Sequence, residues 1–510
     1  MNDDLQATND DGEAVHVVIE PSGMTHADVL AVARHGAVVK LSEATLTGIA
    51  RTRADVERLA ESPTPVYGVS TGFGALAQRH IPVESRVQLQ RSLVRSHAAG
   101  WGETVPGEVV RAMMTLRLKT LCSGRTGVRP VVAQTLAALL NASITPVVHE
   151  YGSLGCSGDL APLAHCALTL MGEGQAAGPD GVVTESADLL EQAGIEPVEL
   201  REKEGLALIN GTDGMLGMLI IGVDDLTRLC DAADLIAALS VEALMGTDQV
   251  FRPQLQALRP HPGQVLSASR MFGALRDSPI VASHREGDSK VQDAYSVRCA
   301  PQVTGGLRDT IRHATSVADA ELAAAIDNPV ILDDGAVSSN GNFHGAPVAY
   351  VLDFLAIPAA DLGSMSERRT DRMLDPNRSH GLPAFLANEP GVDSGLMIAQ
   401  YTQAGLVTQL KALASPASVD SIPSSAMQED HVSMGWHAGL KLRKSVENLT
   451  AVLGIELMAG ARAVELRPTE PGPATSELVS NLRAVLPGIG PDRFLAPEIA
   501  AAADFVRAMS

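Results

Sequence analysis

Aromatic side chains are scarce in this chain: Phe, Trp and Tyr together make up 3% of 510 residues. Each tyrosine is therefore worth following individually. Basic charge is also short, with 39 Lys and Arg against 60 Asp and Glu and a formal net charge of -21. That balance excludes the basic footprint of a nucleic-acid-binding protein; an acidic surface serves solubility. The five cysteines, at 122, 156, 166, 230 and 299, are odd in number and scattered. No CxxC pair occurs among them, so neither a zinc ribbon nor a thioredoxin-like site is indicated, and a reduced, cytoplasmic setting fits. Residues 1–13 lack the basic and apolar regions of a signal peptide and read as a disordered acidic tail. The longest strongly apolar run, about residues 215–223, stops at Asp224-Asp225 and is too short to span a bilayer. What is plentiful is apolar content, 45% of the chain, enough for a large core.

The chemistry-bearing stretch is Gly152-Ser153-Leu154-Gly155-Cys156-Ser157-Gly158-Asp159-Leu160-Ala161-Pro162-Leu163-Ala164-His165. Glycines at 155 and 158 permit a strained bend around Cys156-Ser157. The run that follows predicts a helix ending near Gly172, with Asp159 as its N-cap and Pro162 in its first turn. The positive end of that helix would point at Ser157. On composition alone this is a loop capping a buried helix.

Elsewhere the chain reads mostly as helix. Apolar periodicity predicts helices over about 26–35, 42–61, 83–98, 107–122, 130–141, 213–246, 303–326 and 429–466. Short strands are expected at 15–19 and around the turns Pro179-Asp180-Gly181 and Asp333-Asp334-Gly335. Residues 263–290 are charged and irregular and are assigned no element. In the last long helix Leu442, Val446, Leu449, Leu453 and Leu457 form a packing stripe, while Val452, Ile455 and Met458 lie on another side. A helix apolar all round belongs in a large bundle or a subunit interface.

Several polar motifs interrupt this pattern. Pro65-Val66-Tyr67-Gly68-Val69-Ser70-Thr71-Gly72-Phe73-Gly74 is glycine-rich, yet its spacing and surroundings do not match a dinucleotide-binding turn. Ser96-His97 sits at a helix end. Asn210 precedes a long helix that it is placed to cap. If 291–299 is helical, Gln292, Tyr295 and Arg298 share one side, and arginine there matches a carboxylate with two parallel hydrogen bonds. Phe343 opens a helix and reads as core. Glu429-Asp430 reads as the acidic first turn of the last long helix.

Taken together, these motifs resemble the ammonia-lyases of aromatic amino acids, from about Val15 to near Met509. The resemblance implies a mainly α long-helix bundle with a few short β-hairpins, divided into the tail 1–13, an N-terminal domain 14–215 carrying the reactive loop, and a helical region 216–510. It implies that Cys156-Ser157-Gly158 cyclises autocatalytically with loss of water to a methylidene-imidazolone electrophile; no metal or nucleotide is expected. Cysteine stands where alanine is usual, and as the side chain would hang off the ring, cyclisation is expected to survive.

By the same resemblance Tyr67, Asn210, Tyr295 and Glu429 join Ser157 in catalysis, while His97, Gln292, Arg298, Phe343 and Glu429 bind substrate. The Ser96-His97 pair looks like the histidine-directed branch, implying L-histidine as substrate and trans-urocanate and ammonia as products. The implied assembly is a homotetramer with shared active sites, without nucleic-acid or membrane partners. Tyr67, Tyr295 and Glu429 are the candidate bases, Tyr67 being preferred; a phenol, with an ordinary pKa of about 10, serves only where its surroundings lower that value. Three rivals remain: the fumarase–argininosuccinate lyase superfamily, echoed by Ser424-Ser425-Ala426-Met427 but without its lysine and asparagine; a relative acting on tyrosine or phenylalanine, including 2,3-aminomutases; and a non-catalytic helical scaffold.

Overall fold

The computed structural model describes residues 15–61, 65–72, 79–288 and 290–509. The expected tail 1–13, together with Phe73 and Gly74 of the glycine-rich stretch, lies outside them. The fold is mainly helical, and the described strands are two to four residues long. His16–Ile19 pairs in parallel with Val38–Leu41, Val17 opposite Val39. Trp101–Thr104 pairs antiparallel with His149–Tyr151, and Gln175–Ala177 lies between Thr145–Pro146 and Val183–Glu185. The hairpin expected at Asp333-Asp334-Gly335 joins Val330–Ile331 to Val337–Ser338.

The chain divides into two compact units. The first comprises Met1–Ile221, Thr315–Leu352 and Ala417–Leu440; the second comprises Gly222–Ala314, Asp353–Pro416 and Lys441–Ser510. The boundary drawn from the sequence at 215/216 falls within the helix Asp213–Ala243.

In the first unit, local signals end the helices where the sequence places them. Thr25 and Asp28 form a reciprocal capping box at the start of His26–His35, and Gly36 closes that helix at φ 64°. Pro130 opens Pro130–Asn141. The helix Gly107–Cys122 is buried from Val109 to Cys122 except at Arg111, and its buried cations, Arg117 and Lys119, donate to backbone carbonyls, Arg117 also facing Asp213 at 3.4 Å. Arg117 donates to Ala207 O at 3.1 Å and Ile326 O at 2.8 Å, and Lys119 donates to Ala324 O. Satisfying these donors internally offsets the cost of burying charge. Val69 packs in a cluster with Val56 and Ile331, which anchors the loop carrying Tyr67.

In the second unit, Val452 of the helix Gly435–Glu465 packs with Ala360, Val407 and Leu410. Glu456 and Arg369, both buried, form a bidentate pair at 2.5 and 2.8 Å. Arg369 also donates to Ser296 O at 3.2 Å. Leu442, Leu449, Leu453, Val452 and Ile455 are all buried, so this helix is indeed apolar on more than one side.

Three expectations about the elements are corrected. The last long helix begins at Gly435, not near 429. A tight loop precedes it: Ser424 and Glu429 exchange backbone hydrogen bonds, and Ala426, Met427 and Met434 all have positive φ. Residues 263–290, left unassigned, contain the helices Pro262–Ala274 and Pro279–Ala282. In the stretch 291–299 only Tyr295–Arg298 is helical, so Gln292 lies outside the helix. Two stretches, Glu204–Ala243 and Ala346–Leu374, are long and apolar enough by length and composition to cross a membrane, but the apolar window of the first is fully buried and that of the second 61% buried, as in core helices. Asp224 and Asp225 interrupt the apolar run in sequence, but in the helix they lie at its partly exposed side.

Candidate active site

The loop holding Cys156-Ser157-Gly158 is clamped at both ends. At its start, Gly155 O accepts from Ser433 Oγ at 2.6 Å and from Gly345 N at 3.0 Å. At its end, Asp159 N donates to Gly211 O at 2.7 Å. Gly155 and Gly158 have φ of 67° and 77°, a region an L residue adopts at a cost. A Cβ on Gly158 would lie 2.3 Å from Gly211 O, and one on Gly155 would lie 2.4 Å from Ser433 Oγ. Glycine is required at both places by contact as well as by backbone angle.

Asp159 departs from its expected role. It stands at the N-cap position of the helix Leu160–Leu170 but makes no side-chain cap there. Its Oδ2 instead accepts from Gly214 N and Met215 N, both at 2.9 Å, at the start of Asp213–Ala243; Oδ1 accepts from Ser153 Oγ at 2.9 Å. Asp159 thus ties the reactive loop to the first turn of another helix. Burial pushes its carboxyl up to about 7, against the opposing effect of these hydrogen bonds.

A cavity of about 1020 Å³ opens beside the loop, lined by Cys156 and Ser157. Tyr67, His97, Asn210, Phe343 and Glu429, far apart in sequence, line it as well. Phe343, which composition read as core, is at the cavity wall. Asn210 does not cap Asp213–Ala243; it ends the helix Glu204–Ile209. Its Nδ2 donates to Ser157 O at 2.9 Å, and its Oδ1 is buried without a partner. An orphaned buried acceptor of this kind awaits a donor.

Glu429 lies in the loop before the last long helix and reaches the tripeptide directly. Oε1 accepts from Ser157 Oγ at 2.8 Å; Oε2 accepts from Cys156 Sγ at 3.1 Å and from Ser424 Oγ at 2.9 Å. Burial raises its pKa, but hydrogen bonds from Cys156, Ser157, Ser424 and Ser425 outweigh burial and hold the carboxyl below its ordinary value. Burial favours the neutral form of His97, lowering its pKa against the opposing hydrogen bond to Leu93 and the charge of Glu429. His97 Nδ1 lies 2.9 Å from Leu93 O. A carbonyl only accepts, so the ring proton is on Nδ1 and Nε2 is left as an acceptor.

Ser153 and Ser433 were given no role from the sequence, and Ser424 was noted only in the Ser424-Ser425-Ala426-Met427 echo of a rival family, although each positions the loop or its carboxylate. Nothing in their local sequence marks them, because their partners are tertiary. His344 and His431 stack at 5.5 Å on the same cavity wall and were likewise missed.

Gln292, Tyr295 and Arg298 are not among the residues lining this cavity. They belong to the second unit. Tyr295 is 70% exposed there, the Arg298 guanidinium lies 4.6 Å from its ring centroid, and Arg298 Nε is buried without a partner. Among the described residues no group of three or more His, Cys, Asp or Glu is arranged to hold a metal ion.

A helical fold that presents a glycine-locked Cys-Ser-Gly segment to a cavity of mixed polar and apolar lining defines an enzyme of the ammonia-lyase class. The model of the aromatic amino acid lyase family matches residues 24–484, and the chain belongs to that family. It is 66% identical to the histidine ammonia-lyase of Streptomyces avermitilis over 493 residues, 96% of each chain. It is 47% identical to that of Deinococcus radiodurans, over 92% of this chain and 90% of the relative. Among solved structures, histidine ammonia-lyase from Trypanosoma cruzi superimposes with a TM-score of 0.89 at 36% identity, covering 97% of this chain and 94% of the other. The tyrosine aminomutase of Streptomyces globisporus does so with a TM-score of 0.91 at 36% identity, covering 97% of both. The fumarase–argininosuccinate lyase reading is thereby set aside.

Proposed function

We propose that this chain releases ammonia from L-histidine without oxidation, giving trans-urocanate. The observation that carries this reading is the convergence on one cavity of the Cys156-Ser157-Gly158 loop, Asn210 and Glu429. The relatives at 66% identity, named as histidine ammonia-lyases, support the choice of substrate.

The tripeptide fits a methylidene-imidazolone. The Cα of Gly158 carries no Cβ to obstruct approach of its nitrogen to the Cys156 carbonyl, and positive φ at Gly155 and Gly158 bends the loop. The group, formed from residues 156–158, supplies an electrophile that standard side chains lack. Around it Asn210 offers an acceptor at Oδ1 for a substrate ammonium and holds Ser157 O through Nδ2. Glu429, as a carboxylate, accepts an imidazole N–H, and His97 supplies the second ring contact. Tyr67 takes the β-proton, and Phe343 walls the ring.

The remaining residues come from another copy of the chain in a homotetramer. Arg298, with its orphaned Nε, clamps the substrate carboxylate, and exposed Tyr295 and Gln292 accompany it into a neighbouring copy's cavity. Holding the carboxylate and the imidazole ring at opposite ends would align the Cα–Cβ bond for elimination. The setting is cytoplasmic.

The test is to incubate the purified protein separately with L-histidine, L-phenylalanine and L-tyrosine and to identify the product. Urocanate from histidine alone, together with an intact mass lower by two waters, is the expected result. Cinnamate, coumarate or a β-amino acid as main product would replace the substrate assignment, and an unmodified mass would remove the electrophile.

A further inference from the structure

Maturation of the tripeptide would alter the surroundings of Glu429. Before it, two donors from the tripeptide hold this carboxylate: Ser157 Oγ on Oε1 at 2.8 Å and Cys156 Sγ on Oε2 at 3.1 Å. Loss of the serine hydroxyl as water removes the first. The side chain of residue 156 takes no part in ring closure, so the second remains. With alanine at 156 the tripeptide would have no side-chain donor left for Glu429. Ser424 Oγ, at 2.9 Å, would still hold Oε2.

We propose that Cys156 is a positioning residue for substrate recognition: its thiol, as a hydrogen-bond donor, keeps the Glu429 carboxylate ionised and aimed at the substrate imidazole. The inference rests on the reading of Glu429 given above. It depends on the contact between Cys156 and Glu429 and on the low exposure, 5%, of Cys156. A thiol beside an electrophile is a hazard only as thiolate. Burial and the neighbouring carboxylate push the Cys156 thiol up to about 12, so it stays a donor throughout the working pH range.

The sign of the effect follows. A donor stabilises the ionised form of Glu429, so its removal raises the pKa of that carboxyl. The other titratable or charged groups on the same cavity are Tyr67, Arg79, His97, His344, Asp430 and His431. A change at 156 reaches them only through Glu429, whose charge also raises the pKa of His97, so a displaced acid limb that vanishes with Glu429 reports that carboxylate. A thiol is a weak donor and Ser424 remains, so the displacement is modest, about 0.5–1 pH unit, or about 3–10-fold in kcat/KM below the limb.

The experiment compares the natural chain with Cys156→Ala, Cys156→Ser and Glu429→Gln. Intact mass first reports loss of two waters in each. The acid limb of kcat/KM for L-histidine should move up in Cys156→Ala, return in Cys156→Ser and disappear in Glu429→Gln. Independently of activity, the S–H infrared stretch of Cys156, isolated by difference against Cys156→Ala, should move to higher frequency in Glu429→Gln. An unmoved limb in matured Cys156→Ala, or an S–H band indifferent to Glu429→Gln, overturns the proposal. Should Cys156→Ala fail to mature, the infrared band decides. A natural chain that loses no water, or consumes no histidine, defeats the proposed function instead, a result the mass and product assays report separately.

Discussion

Ser157 Oγ donates to Glu429 Oε1 across 2.8 Å, although 272 residues separate them in the chain. The contact joins the segment that becomes electrophilic to the carboxylate assigned to the substrate ring. It also shows why the site cannot be assembled from either motif alone.

Ser157→Ala removes the source of the methylidene carbon while deleting one oxygen at a half-buried position. Thermal stability should stay within about 1 kcal/mol of the natural chain. Histidine turnover should fall by at least about 1000-fold, equivalent to ~4 kcal/mol of barrier. Steady-state assay beside thermal denaturation checks both; retained turnover would show that the electrophile lies elsewhere.

Gly158→Ala places a Cβ 2.3 Å from Gly211 O at a φ of 77°. Backbone, not a flexible side chain, must give way. The expected cost is about 2–4 kcal/mol, with an intact mass that retains the two waters. A variant of normal Tm and matured mass would mean that the loop relaxes freely.

The Asp159 carboxyl, ordinarily at 3.8, is raised to about 7 when folded. Between those values the folded chain holds a proton that the unfolded chain has released. This contribution to stability is therefore present at about pH 4 and is lost as pH rises through 7. Placed in the Ser157→Ala background, so that neither chain matures, Asp159→Asn should flatten this part of the Tm-against-pH curve. Parallel curves would show that Asp159 titrates normally.

Asn210→Ala removes the donor to Ser157 O and the orphaned acceptor Oδ1 together. Loss of one such preorganised contact should lower kcat by about 100-fold, with the protein still folded. Little change in kcat would assign Asn210 to packing.

If Arg298 serves a neighbouring copy's cavity, two inactive variants should complement each other. Tyr67→Phe and Arg298→Lys, each expected to lose about 100-fold or more in kcat/KM, are unfolded together and refolded as a mixture. Mixed assemblies that carry both natural residues at one site should regain activity well above either parent. Absence of recovery in a mixture shown to contain hybrids would place Tyr67 and Arg298 in sites of a single chain.

Local chemistry was legible without coordinates. Pro130 and the Asp333-Asp334-Gly335 turn act through neighbours a few residues away, so the chain itself determined that helix start and that hairpin. The mainly helical class followed from apolar periodicity in the same way, and the family followed from the long motif around Cys156-Ser157-Gly158. Tertiary structure decided what the polar residues do. Asp159 and Asn210 both looked like caps, yet Asp159 spends its carboxylate on Gly214 and Met215, and Asn210 turns to Ser157. Glu429 looked like a helical first turn and lies instead in a loop bent by positive φ at Ala426 and Met427. A side-chain hydrogen bond spans about 3 Å wherever its partners lie in the sequence, so only the packed chain reveals which carboxylate meets which donor.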